Sequence, residues 1–167
     1  MTNRRFLLAS AAGLSGLAAL RWLGLSNKAE AAGKFEIEKT PAEWKKQLTA
    51  RQYYILREHG TEAPFSSPLN HEKRKGVFAC AGCDLPLFAS ETKFDSGTGW
   101  PSFYDHLPNA IGTTEDRSML MVRTEVHCRR CGGHLGHVFD DGPKPTGLRY
   151  CMDGDALIFK PADGSSS

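Results

Sequence analysis

No stretch of the 167-residue chain stays apolar for the roughly 20 residues that a membrane-crossing helix requires. The longest run, Phe6 to Leu20, is cut off by Arg21. Helical periodicity is missing from Gly76 onward, and no internal repeat occurs beyond two short cysteine pairs, so neither a helical bundle nor a repeat array fits. Excess positive charge is lacking too. The formal net charge of +2 becomes −1 when residues 1–31, with four basic residues and one acidic, are set aside. That excludes an electrostatic case for nucleic-acid binding; Lys73-Arg74-Lys75 and Arg129-Arg130 read as solvated loops.

Residues 1–31 read as an export signal: Arg4 and Arg5, the apolar run, then Ala29-Glu30-Ala31 as a small-x-small cleavage site. The arginine pair resembles a twin-arginine signal that lacks the usual spacer before Phe6. Cleavage after Ala31 and delivery to a bacterial periplasm are expected, with a retained anchor as the alternative. Residues 32–167 then form one domain, with its core at about 40–161 and a disordered Gly164–Ser167 tail.

Thr40-Pro41-Ala42-Glu43 is a capping box and predicts a short helix burying Trp44 and Leu48; Thr49 to Gln52 opens a second, with Gly60 as its left-handed stop. Thr61 to Asn70 is loop. Beyond Gly76, strands are expected at 77–80, 119–126, 137–139, 148–152 and 157–160. The expected fold is mainly β (α+β), mostly antiparallel, behind two short N-terminal helices.

Cysteine does not come in an even number. Four of the five form C-x-x-C pairs, Cys80/Cys83 and Cys128/Cys131, with the spacing of a closed, structural zinc site. Gly82 and Gly132-Gly133 are expected to free the two turns, and the 44 residues between Cys83 and Cys128 mean that the metal clamps distant segments. Disulfides are the competing reading, because export places the thiols in an oxidising compartment. A bridge inside C-x-x-C, however, closes too short a loop to stabilise much. Cys151 is left over. It is either a small buried hydrophobe or a nucleophile, and Arg149, two positions earlier on the same strand face, would favour its thiolate.

Two further segments are dense in residues that chemistry uses: "KFDSGTGWPSF" at 93–103 and "HLGHVFDDGPKPTGLRYC" at 134–151. Together with "CAGC" at 80–83 and "CRRCGG" at 128–133, they resemble the motifs of methionine-R-sulfoxide reductases, the MsrB family, over about residues 40–161. The resemblance implies two antiparallel sheets, one structural zinc ion, and reduction of the R epimer of methionine sulfoxide in proteins or peptides by a monomer. It makes Cys151 the catalytic cysteine and Trp100 the wall that packs the substrate methyl group. His134 and His137 become the active-site histidines, with His137 as the proton donor; Phe103 and Phe139 are candidates to complete the wall beside Arg149. Thiolate attack on the sulfoxide sulfur leaves an oxygen that must be protonated, which suits an imidazole.

The chain departs from the family pattern twice. Thr98 stands where many relatives carry a resolving cysteine, so the sulfenic acid at Cys151 is expected to be cleared by an external, thioredoxin-like thiol. Asp153 stands where Asn is common, and its carboxylate is expected to raise the Cys151 pKa unless Arg149 or an imidazolium neutralises it. Two other classes fit parts of the pattern: a zinc-clamped peptide-binding module with an inert Cys151, and a peroxide-reducing cysteine enzyme, which has no need of Trp100.

Overall fold

Thr40 starts the first helix as its sequence requires. In the computed structural model, which describes residues 35–118 and 121–162, its hydroxyl accepts from the Glu43 N–H at 3.3 Å, while the Glu43 carboxylate accepts from the Thr40 N–H at 2.7 Å. Helix α1 (Pro41–Gln47) follows, and Thr49 with Gln52 repeats the device for α2 (Ala50–Glu58). The left-handed stop lies at His59 (φ 53°), one residue before the expected Gly60. Gly60 is needed for space instead: a Cβ there would lie 2.2 Å from the Tyr54 ring.

Among the described residues, nine strands form two antiparallel sheets. Strands β1 (Gly76–Cys80), β2 (Pro86–Ala89) and β9 (Leu157–Pro161) make a three-stranded sheet in the order β2-β1-β9. The larger sheet runs β3-β4-β8-β7-β6-β5, built from Lys93–Phe94, Ser102–Phe103, Arg149–Met152, His134–Phe139, Arg123–Cys128 and Ile111–Asp116 respectively. This is the mainly β, two-sheet fold with short N-terminal helices that the sequence predicts.

The sheets meet through aromatics. Phe88 of β2 stacks on Phe103 of β4 at 4.4 Å between ring centroids, and Phe78 of β1 meets the same ring edge-on at 5.0 Å. All three rings are fully buried, each stabilising the fold by about 2–3 kcal/mol through area removed from water. Trp44, Ile55 and Leu56 seal the same core from the helices.

The expected strand at 119–126 begins instead at Arg123, where pairing with Asp116 of β5 starts, and runs to Cys128. Met121 and Val122 are exposed. Residues 1–34, 119–120 and 163–167 lie outside the described residues, and with them the export signal and the Gly164–Ser167 tail. Among the described residues no helix is long and apolar enough to cross a membrane.

Candidate active site and metal centre

Two histidines three residues apart on a regular strand would face opposite ways. Strand β7 avoids this with a bulge: Val126 pairs with Gly136 and His127 with His134, so Leu135 is the extra residue and turns into the core. The His134 and His137 rings end 5.4 Å apart. Gly136, at φ 146°, permits this close approach, since a Cβ there would lie 2.1 Å from the Cys151 carbonyl oxygen.

Cys151 lies on β8 directly opposite His137 of β7 on one side and Ser102 of β4 on the other. Cross-strand partners share a face, so thiol, imidazole and hydroxyl converge. Cys151 and His137 open onto a cleft of about 130 Å³ whose wall also includes Trp100, Phe139 and Asp153, while Ser102 is fully buried. The Trp100 indole N–H donates to the Glu62 carbonyl at 3.2 Å, which fixes the ring. Thr98 Oγ1 stands 3.8 Å from Cys151 Sγ and is linked through Ser96 (2.8 Å) to Ser102 (2.7 Å).

Two expected wall residues are elsewhere. Phe103 is fully buried in the inter-sheet stack and does not line the cleft, because at its position β4 points into the core. Arg149 is held by a two-pronged ion pair to Asp141, 2.8 Å on each prong, and lies over the Phe139 ring at 4.4 Å. It supports the wall without being part of it. His134 is buried behind the cleft, and its Nδ1 hydrogen-bonds the Glu125 carboxylate at 2.7 Å. Thr61 and Arg123 complete the lining although no motif marked them, and Asp116 belongs to the site through a 2.8 Å bond to His137 Nε2.

Burial pushes the Cys151 thiol up, and Asp153 adds to that, while Thr98, Arg149 and Ser102 pull it down. Burial wins. The help expected from Arg149 is therefore present in sign but insufficient, and the resting sulfur is a thiol. Burial likewise pushes His137 down against the pull of Asp116, so its ring is neutral near pH 7. Asp116 is held well below the carboxylate range by hydrogen bonds from Ser118, then His137 and Arg123. Being ionised, it accepts, so His137 carries its proton on Nε2 and leaves Nδ1 as the free acceptor.

Asp153 is buried, and burial raises its pKa to about 6. Its Oδ1 accepts from the Glu62 N–H at 2.9 Å, while the Glu62 carboxylate accepts from the N–H groups of Gly154 (2.7 Å) and Asp155 (3.0 Å). The folded protein binds this proton more tightly than the unfolded chain, so stability falls as pH rises from the ordinary carboxylate value through about 6. Asp153→Asn keeps the acceptor and removes the charge. It should stabilise the fold by about 3 kcal/mol at pH 7.5 and by only about 0.5 kcal/mol at pH 4. Urea denaturation at the two pH values checks this; an equal difference at both would refute it.

The four paired cysteines meet at one point. Cys80 and Cys83 occupy the β1–β2 turn and Cys128 and Cys131 the β6–β7 turn, so the cluster joins the hairpins of the two sheets. The turns match: the Asp84 N–H donates to the Cys80 carbonyl and the Gly132 N–H to that of Cys128, each at 2.8 Å, with Asp84 (φ 64°) and Gly132 (φ 65°) both left-handed. The first turn thus depends on Asp84 rather than on the expected Gly82. All four sulfurs lie within 4.8 Å of one another, and two contacts cross between the turns, Cys83 to Cys128 at 3.4 Å and Cys80 to Cys131 at 3.7 Å. Tetrahedral zinc–thiolate bonds of about 2.3 Å need sulfurs about 3.8 Å apart. These side chains fit a metal ion, and all five cysteines are free of disulfides.

Comparison with known proteins agrees with this geometry. Residues 48–161 match the SelR domain model. A peptide methionine sulfoxide reductase MsrB of Agrobacterium fabrum is 54% identical over 127 residues, covering 75% of this chain and 94% of its own. The MsrB of Methanosarcina barkeri is 57% identical over 74% of this chain and 88% of its own, and that of Pseudomonas putida W619 is 55% identical over 78% and 98%. A matched domain spanning most of the chain, joined to near full-length relatives at this identity, makes the chain a member of the MsrB family.

Proposed function

We propose that the protein reduces the R epimer of methionine sulfoxide in peptides and proteins, using Cys151 as nucleophile and an external thiol to restore it. The observation that carries this reading is the convergence of Cys151, His137 and Trp100 on one small cleft. The indole and the Phe139 ring accommodate the methyl group and keep water out. A neutral thiol facing a neutral imidazole can pass its proton to Nδ1 as substrate enters, creating nucleophile and acid together. The thiolate attacks the sulfoxide sulfur, and the imidazolium protonates the oxygen. Oxygen then passes to Cys151 as the S–O bond of the substrate and the transient bond between the two sulfurs break: methionine leaves reduced by two electrons, and Cys151 is oxidised by two, to sulfenic acid.

Thr98 supplies a hydroxyl and no thiol beside that sulfenic acid, so regeneration falls to an outside dithiol. Its first sulfur displaces water to form a mixed disulfide; its second releases Cys151 as thiol. The four-cysteine cluster would hold zinc in a closed shell, with no open position for substrate and no part in these steps. For the precursor, the sequence of residues 1–31 supports export to the periplasm.

The test uses peptides bearing each epimer. The R epimer should be consumed and the S epimer left, and intact mass after one turnover without reductant should show one added oxygen on Cys151. Consumption of the S epimer, or loss of two hydrogens instead of gain of oxygen, would overturn the reading.

A further inference from the structure

A second cavity of about 470 Å³ shares Thr61, Arg123 and His137 with the reductase cleft. At its edge, His59 Nδ1 and His134 Nδ1 both contact the same oxygen of Glu125, at 3.0 and 2.7 Å, and the three ligand atoms lie within 4.8 Å of one another. Three separate elements build this cluster. His59 is the left-handed cap of α2, Glu125 lies on β6 directly opposite His137, and His134 lies beside the bulge of β7. Neither the cysteine cluster nor the sulfoxide chemistry uses His59.

A second observation concerns the other nitrogen of the buried ring. His134 Nε2 is fully enclosed and has no hydrogen-bond partner, yet Asp153 Oδ2 stands 4.0 Å away. In the tautomer whose Nδ1–H donates to Glu125, Nε2 carries no proton to offer Asp153, and at 4.0 Å the two make no hydrogen bond. A cation on Nδ1 would move the proton to Nε2 and turn the same pair into donor and carboxylate. Metal-bound histidines characteristically donate their second N–H to a carboxylate in this way.

We propose that His59, Glu125 and His134 form a second metal site, for a borderline divalent transition ion such as zinc or cobalt, with Asp153 as the carboxylate behind His134. Ligand bonds of about 2.0–2.2 Å require donor atoms roughly 3 to 3.5 Å apart, so the two contacts to Glu125 need a small opening and the rest of the set, within 4.8 Å, a small adjustment, which the exposed His59 ring can supply. Two imidazoles and one carboxylate suit such an ion better than magnesium or calcium, which prefer all-oxygen shells. The cavity leaves the remaining positions to water, as a closed cysteine shell does not. Bound there, the ion would tie the end of α2 to the strand that carries His137.

The test is a cobalt titration of the zinc-loaded full chain. One equivalent beyond the cysteine-held metal should bind, with the weak visible absorption of nitrogen and oxygen ligands and without the intense thiolate-to-cobalt band of a sulfur site. His59→Gln and Glu125→Gln should each weaken that equivalent by at least about 10-fold, taking loss of a supporting group as the lower bound. Cys151→Ser should keep it. Melting temperature should rise with cobalt in the parent and not in His59→Gln. Absence of a second equivalent at millimolar cobalt overturns the proposal. So does an equivalent that survives both substitutions, or one that Cys151→Ser removes. Because the readout is binding, this result stands apart from any outcome of the epimer assay.

Discussion

Replacement of Cys151 by serine should lower kcat/KM for a peptide R-sulfoxide by about 10³-fold or more, to the assay background, because removing a nucleophile leaves only binding and polarisation. The fold should survive. Cys151 is only partly buried, and Thr98 and Ser102 already form a hydroxyl environment that a serine joins without strain. Its melting temperature should therefore stay within a few degrees of the parent. This combination separates the three functional classes that the residues alone admit. A peptide-binding module would bind sulfoxide peptides in both forms and turn over neither. A peroxidase would lose peroxide reduction as its principal activity. Full sulfoxide reduction by the serine variant would remove Cys151 from the chemistry altogether.

Removal of a metal held by the four cysteines should have the largest effect on stability. The four sulfurs fasten the β1–β2 turn of one sheet to the β6–β7 turn of the other, and α1 and α2 brace both: Gln47 donates to the Gly82 carbonyl at 2.6 Å, and Arg57 gives two 3.1 Å bonds to that of Cys131. Structural zinc contributes on the order of 10 kcal/mol of binding free energy, which for such a site is folding free energy. Cys128→Ser, or strong chelation, should lower the melting temperature by about 10 °C or more, and readdition of zinc should restore the chelated protein but not the variant. Calorimetry with metal analysis on the same samples decides it. A metal-free protein melting with the parent would mean that the core alone holds the sheets together.

The helices were legible because their starts are local chemistry: Thr40 with Glu43 and Thr49 with Gln52 need only three residues of context. The cysteine centre was legible from spacing for the same reason. Strand β5 was not, since as the outermost strand of its sheet it carries Thr113, Thr114 and Glu115 exposed and shows no apolar alternation. Phe103 read as a wall residue because it ends the motif containing Trp100, but one step along a strand reverses the face. Asp116 and Arg123 escaped notice because they join the site through pairing between β5 and β6, which no short motif records. Asp84 replaced Gly82 as the turn residue because the left-handed position falls after the second cysteine, and aspartate tolerates it.

Strand β8 is an interior strand, hydrogen-bonded to β4 and β7 across Cys151 itself. A sulfur mounted there is anchored by backbone pairing on both sides. A thiol on a loop can move toward its partner, whereas on the proposed cycle the rescuing sulfur has to come to Cys151. On the proposed cycle, a donor that offers its cysteine on a projecting tip, or a small thiol slim enough to pass the indole, should restore Cys151 faster than a bulky donor with a recessed dithiol.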